Sequence, residues 1–152
     1  MDSQAAPDFQ LPATGGKQVT LRDFKGRGLI LYFYPKDNTP GCSAESRDFC
    51  DLRDAFQAAG WEILGISRDG LKSHENFKAK LGLPFDLLAD VDERVCELYG
   101  VMKLKNLYGK PVRGIERSTF AIAPDGTIAR AWRGVKVPDH ARQVLAFVRS
   151  LA

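Results

Sequence analysis

The spacing of apolar and polar positions changes several times along the chain, and each change marks an element. Leu29-Ile30-Leu31-Tyr32-Phe33, ending at Tyr34, is a continuous apolar run of the kind a strand shows when both faces are covered. Trp61 to Ser67, broken by Asp69-Gly70, reads the same way, and Phe85 to Leu88 predicts a shorter strand. Between these runs the period turns helical. Phe49, Leu52 and Phe56, with Ala55 and Ala59 beside them, predict a helix from about Thr39 to Ala59 that stops at Gly60. Ser73 is the expected cap of a helix carrying Phe77 and Leu81 and ended by Gly82 and Pro84. Asp92 begins another, holding Val95, Leu98 and Tyr99 and ended by Gly100. Ser118 to Ala123 and Thr127 to Trp132 read as strands joined by the hairpin signal Pro124-Asp125-Gly126. A last helix from about Asp139 carries Val144, Phe147, Val148 and Leu151 on one face.

The segments left over are polar. Residues 1–17 read as an extended lead-in, Gln18 to Leu21 as a short strand, Asp23 to Gly26 as a turn, and the basic stretch 103–114 as a loop. The resulting order is α/β, with a central mixed sheet flanked by helices. A thioredoxin-like fold is compatible with that order, but the order alone does not select it.

Bulk properties narrow the function more than the fold. The 152 residues make one domain, 1–152, long enough to bury a core without disulfide staples. A net charge of +3 gives no argument for nucleic acid or a membrane surface, and Lys103, Lys105, Lys110 and Arg113 read as a solvated loop. No apolar run approaches the ~20 residues of a membrane span. The start, MDSQAAPDFQ, has neither the basic beginning nor the apolar core of a secretion signal. Three irregularly spaced cysteines make no extracellular framework, so the chain is read as cytoplasmic, with reduced thiols.

One cysteine stands in a reactive position. Thr39-Pro40-Gly41-Cys42 suits a helix start, with Thr39 as N-cap, its oxygen accepting from the Cys42 backbone N–H. Cys42 would then lie where free N–H groups and the helix dipole favour a thiolate. The plainer reading is a buried structural cysteine. Glu45, three residues on, shares a helix face with Cys42, and left unpaired its carboxylate would disfavour the thiolate. His74 and His140 show no metal-ligand spacing, no CxxC points to a disulfide reductase, and no cofactor is implied.

Pro35, Thr39 and Cys42 form P-x-x-x-T-x-x-C, within YPKDNTPGC, and this resembles the active-site signature of the peroxiredoxins, in their PrxQ-like or bacterioferritin comigratory branch. APDFQLP, SHENF, LPFDLLAD and GIERSTFAIAPDG resemble the same branch, so the likeness runs along nearly the whole chain. It implies a thioredoxin-like fold and a thiol peroxidase acting on hydrogen peroxide and organic hydroperoxides. It also implies recycling by thioredoxin or a similar thiol donor, and a monomer. By the same resemblance Cys42 is the nucleophile, the Thr39 hydroxyl faces thiolate or peroxide, Pro35 shields the pocket, and Arg117 of RSTF reaches the cysteine. Glu45 is then expected to pair with Arg117.

The chain departs from the family where the oxidised cysteine is resolved. Arg47 and Lys78 occupy the two familiar resolving positions. Cys50 lies eight residues beyond Cys42, ~12 Å of helical rise, whereas a disulfide needs Cα atoms within ~7 Å. Cys96 among Val95, Leu98 and Tyr99 reads as a small core residue. Three routes stay open: an external thiol, Cys50, or Cys96. Two other functions also stay open, a peroxide sensor or thiol relay without efficient turnover, and a chaperone-like binder.

Overall fold

Strand β3 (Gly28–Phe33) is buried along its whole length because it divides two apolar cores. Leu29, Leu31 and Phe33 point into one core, with Val95, Cys96, Tyr99, Val101 and Phe120. Ile30 and Tyr32, followed by Tyr34, point into the other, with Cys42, Phe49, Phe56, Phe77, Val144 and Val148. A strand with period 2 and apolar residues at every position can only sit at the middle of a sheet covered on both sides.

The structure, a computed structural model, describes residues 4–151; residues 1–3 of the expected lead-in and the last residue of the 1–152 span lie outside it. β1 (Gln10–Ala13), β2 (Lys17–Thr20), β3, β4 (Trp61–Ser67), β5 (Leu87–Ala89), β8 (Ser118–Ile122) and β9 (Ile128–Arg133) form a mixed sheet in the order β2-β1-β5-β4-β3-β8-β9. β3, β4 and β5 run parallel, and the outer pairs are antiparallel. Helices α1 (Pro40–Ala58), α2 (Leu71–Leu81) and α4 (His140–Ser150) bury Phe49, Phe56, Phe77, Val144 and Val148 in the second core. The short helix α3 (Arg94–Leu98) supplies Val95 and Cys96 to the first.

Four expectations need correction. Part of the lead-in is strand β1, because Leu11 and Ala13 reach the core beside β5. Ser73 does not cap α2: the N-cap is Gly70, and the Ser73 hydroxyl donates instead to Asp37. Leu98, expected inward, is 52% exposed, since α3 is too short to carry a full apolar stripe. The stretch 103–114 is not a loop. It forms an antiparallel ribbon of β6 (Met102–Leu107) and β7 (Lys110–Ile115), turning at Tyr108 and Gly109, both with positive φ. Among its described side chains only those at the base, Ile115 and Met102, touch the core, so no alternation of apolar and polar residues announces it.

Close approach inside the sheet forces the glycine at Gly28, against the Trp61 ring, and at Gly65. Gly65 lies between Tyr32 and Leu87 in register. A Cβ there would sit 2.7 Å from Leu87 Cδ2 and 2.9 Å from the Tyr32 ring, which is itself tied to Ser46 by a 2.9 Å hydrogen bond. Gly65→Ala is expected to destabilise the fold by about 1–3 kcal/mol through overpacking. Denaturant unfolding checks this; an unchanged midpoint would mean that Leu87 and Tyr32 repack freely.

Candidate active site

The C-terminal end of β3 positions everything that follows. α1 starts seven residues beyond Phe33, at Pro40, with Thr39 in extended geometry ahead of it and Ser43 N–H bonding the Thr39 carbonyl at 2.8 Å. Gly41 and Cys42 therefore lie in the first turn, before the first helical hydrogen bond, where backbone N–H groups are free for a ligand. Cys42 is 1% exposed.

Arg117 reaches it because of sheet register. β8 pairs antiparallel with β3, placing Ser118 beside Phe33, so the residue just before β8 lies next to the loop just after β3. Arg117 Nη2 donates to Cys42 Sγ at 3.4 Å, and Nη1 donates to Glu45 Oε1 at 2.6 Å. Burial alone would weaken the guanidinium's charge, but Glu45, and then Cys42, outweigh it and hold Arg117 more firmly cationic. A Cβ on Gly41 would come within 3.1 Å of Arg117 Nη2, so the glycine of Pro40-Gly41-Cys42 leaves room for the guanidinium. Sequence spacing gave no hint of that duty.

Glu45 is 1% exposed, and its Oε2 is buried without a hydrogen-bond partner. Burial pushes its carboxyl up to about 7, against the opposing pull of Arg117. On α4, His140 accepts or donates at Thr119 Oγ1, 2.8 Å away; burial, with the Arg117 charge adding to it, lowers its pKa to about 4, leaving it neutral at pH 7.

Thr39 does not make the expected side-chain cap. Its hydroxyl donates to the Lys36 carbonyl at 2.9 Å, closing the loop on itself, and this competes with bonding back into the helix. Pro35 is half-buried at the start of the loop. Behind the loop lies a network the sequence did not reveal. Asp37 is buried and contacts Tyr34, Ser73 and His74, while its backbone N–H donates to Asp69. Asp37, Asp69 and His74 lie close enough together to share an ion, but their polar atoms already serve one another and their neighbours.

The other cysteines stay apart from Cys42. Cys50 is half-buried on the same unbroken α1, its Sγ 3.9 Å from the Gly82 carbonyl, and burial followed by Asp51 and Asp54 raises its pKa. Cys96 belongs to the opposite core, across the sheet, and burial and Asp90 push its thiol far up. At the familiar resolving positions, Arg47 is exposed and Lys78 pairs with Asp86 at 2.9 Å.

Glu45 provides a pH signature. Its folded-state pKa lies above the usual value of 4.5, so the folded protein keeps the proton that the unfolded chain releases. The contribution to stability is therefore full below about 4.5 and is lost as pH rises through about 7. Between pH 5 and pH 8, wild type is expected to lose about 1–3 kcal/mol relative to Glu45→Gln, which cannot ionise. Unfolding of both proteins at the two pH values measures the difference, and parallel curves would contradict it.

Comparison with known proteins agrees along most of the chain. The AhpC/TSA family model matches residues 3–131. The chain is similar to peroxiredoxin Bcp of Xanthomonas campestris, 52% identical over 145 residues covering 95% of this chain and 91% of that protein. Peroxiredoxin Bcp of Bacillus subtilis is 44% identical over 149 residues, 98% and 95% of the two chains. Among solved structures, Xanthomonas campestris peroxiredoxin Q superposes with a TM-score of 0.90 at 52% identity, covering 93% and 90%. The Xanthomonas campestris bacterioferritin comigratory protein, whose trapped intermediate and ligand complexes concern alkyl peroxide reduction, superposes with a TM-score of 0.91 at 51% identity, covering 94% and 91%. The mixed sheet with its flanking helices is thus the thioredoxin-like fold of these proteins, and the chain belongs to the AhpC/TSA family, in its peroxiredoxin Q or bacterioferritin comigratory branch.

Proposed function

We propose that residues 1–152 form a single thioredoxin-like peroxiredoxin domain that reduces hydrogen peroxide and organic hydroperoxides through Cys42, with a thiol donor, thioredoxin or a similar protein, restoring it. The observation that carries this reading is Arg117 Nη2 at 3.4 Å from Cys42 Sγ, in the first turn of α1. Guanidinium and free N–H groups are donors fixed in advance around one sulfur, where negative charge on sulfur and oxygen would develop.

In the reaction, the Cys42 thiolate attacks the hydroxyl oxygen of ROOH. An S–O bond forms, the O–O bond breaks, and the departing alkoxide takes a proton to leave as ROH. Cys42 is left as a sulfenic acid. In this reading Arg117 stabilises the sulfur and the separating oxygens, Glu45 holds Arg117 in place, and Gly41 admits it. Thr39 and Pro35 shape the loop over the sulfur. A donor thiol then displaces water from the sulfenic acid to give a mixed disulfide, and a second thiol releases Cys42.

An external donor is favoured over both internal cysteines. Cys50 is separated from Cys42 by two turns of intact helix packed through Phe49 and Phe56. Cys96 would have to cross the sheet. Both thiols are also held protonated by burial and nearby carboxylates, and the thiolate is the attacking species. We place the chain in the cytoplasm, acting as a monomer; among the described residues no helix is long and apolar enough to cross a membrane.

Cys42→Ser is expected to remove turnover with peroxide and excess thiol donor, and retention of about a tenth of wild-type activity would overturn the reading. Arg117→Ala is expected to lower the second-order rate constant with peroxide about 10²–10³-fold. A sensor or relay would instead consume one equivalent of peroxide and stop in the same steady-state assay. Cys50→Ser and Cys96→Ser should each keep turnover within about twofold of wild type, because neither sulfur takes part. Loss of turnover in either, with a matching disulfide in peroxide-treated wild type, would move resolution inside the chain.

A further inference from the structure

The loop that carries Thr39 into α1 is fastened by a buried pair, Asp37 with His74. Asp37, 6% exposed, accepts the Tyr34 hydroxyl on Oδ1 at 2.6 Å, and on Oδ2 the Ser73 hydroxyl at 2.8 Å and His74 Nδ1 at 2.7 Å. Burial would raise the Asp37 pKa, but hydrogen bonds from His74, Tyr34 and Ser73 and the charge of His74 outweigh it, so the group is a carboxylate. The opposite ring nitrogen, His74 Nε2, lies 2.8 Å from the Leu88 carbonyl oxygen. A carboxylate and a backbone carbonyl only accept hydrogen bonds. Both nitrogens of His74, fully buried, therefore face groups that only accept, an arrangement that suits an imidazolium.

This pair ties the loop to the rigid part of the molecule. His74 and Ser73 lie on α2, Leu88 is in the middle of the sheet, and Lys80 of α2 holds the next loop residue, Asn38, through a 2.6 Å bond to its side chain. The Asp37 backbone N–H is held by Asp69, which is fixed in turn by Ser67 at the end of β4. The loop cannot move away from α2 without separating the Asp37 carboxylate from buried His74. Yet Cys42, 1% exposed, must be reached by a donor thiol once it is oxidised. The first turn of α1 and the loop before it have to yield at that stage.

We propose that His74 is a positioning residue which, through Asp37, holds the 34–39 loop closed over Cys42 for reaction with peroxide and so opposes its exposure to the thiol donor. This rests on the peroxidase reading above. Among the described residues the network makes no hydrogen bond to Cys42; it acts through the loop, and it therefore affects the two half-reactions in opposite directions. Oxidation needs the loop closed, and reduction needs it open.

The test measures the two half-reactions separately by stopped flow in Asp37→Asn, His74→Gln and the double variant, which removes both buried charges. Oxidation of Cys42 by peroxide should slow about tenfold, on the scale of one lost charge-assisted hydrogen bond. Reduction of the preformed sulfenic acid by a thiol protein should quicken. Ser73→Ala removes one bond without unpairing a buried charge, so it should fold normally and shift both rates the same way by a smaller factor. Independently of peroxide, alkylation of Cys42 by iodoacetamide should quicken in all of these, and NMR of wild type should show two ring N–H protons on His74. A neutral His74 tautomer would overturn the proposal. So would folded variants in which both half-reactions are unchanged or slow together. Wild-type Cys42 that is inert to peroxide would sink the peroxidase reading instead, leaving the latch to be judged by alkylation and NMR.

Discussion

The site depends on one cation that is largely, but not fully, withdrawn from water, its side chain 16% exposed. Arg117 is held between a carboxylate and a sulfur, and a guanidinium in that position must be matched on both sides or it destabilises the fold. Glu45 supplies the matching acceptor from the same helix face as Cys42, so the helix that carries the sulfur also carries the group that aims Arg117 at it. The pairing leaves Glu45 Oε2 buried without a hydrogen-bond partner, a condition that Arg68 Nε shares among the described residues.

The sheet performs a second duty by dividing the interior. Cys42 and Cys96 are both buried, but they belong to different cores, and no side-chain motion brings them together. Cys50 shares the core of Cys42 but is fixed on the same helix. One sulfur lies against a cation while the other two lie near carboxylates, so three cysteines of the same chain have different chemistry because of where the backbone puts them.

A second buried pair, Asp37 with His74, lies behind the loop while Arg117 lies in front of it. The two pairs share no residue, and between them they fix both ends of the segment from Tyr34 to Cys42. The loop is short, so fixing its ends sets its course, and Thr39 satisfies its hydroxyl within the loop rather than on the helix.

Local chemistry was legible in the sequence. Continuous apolar runs identified β3 and β4, helical spacing identified α1, α2 and α4, and Pro-Gly before Cys42 identified a helix start with a thiol in its first turn. The resemblance drew Arg117 and Glu45 toward that thiol. What the sequence could not carry was anything decided by register or by contact across the chain. Pairing of Phe33 with Ser118 is what sets Arg117 beside Cys42, and Gly41 is needed only because a guanidinium from far along the chain passes over it. The ribbon at 102–115 escaped notice because both of its faces are largely in water, so its residues are under no demand to alternate. His74 looked like a lone histidine for the same reason that Ser73 looked like a cap: its partners, Asp37 and Leu88, are distant along the chain and meet it only in the folded state. Periodicity and helix caps are local properties, written in neighbouring residues. Burial of a charge is a property of the whole fold, and here it decided which residues make the site.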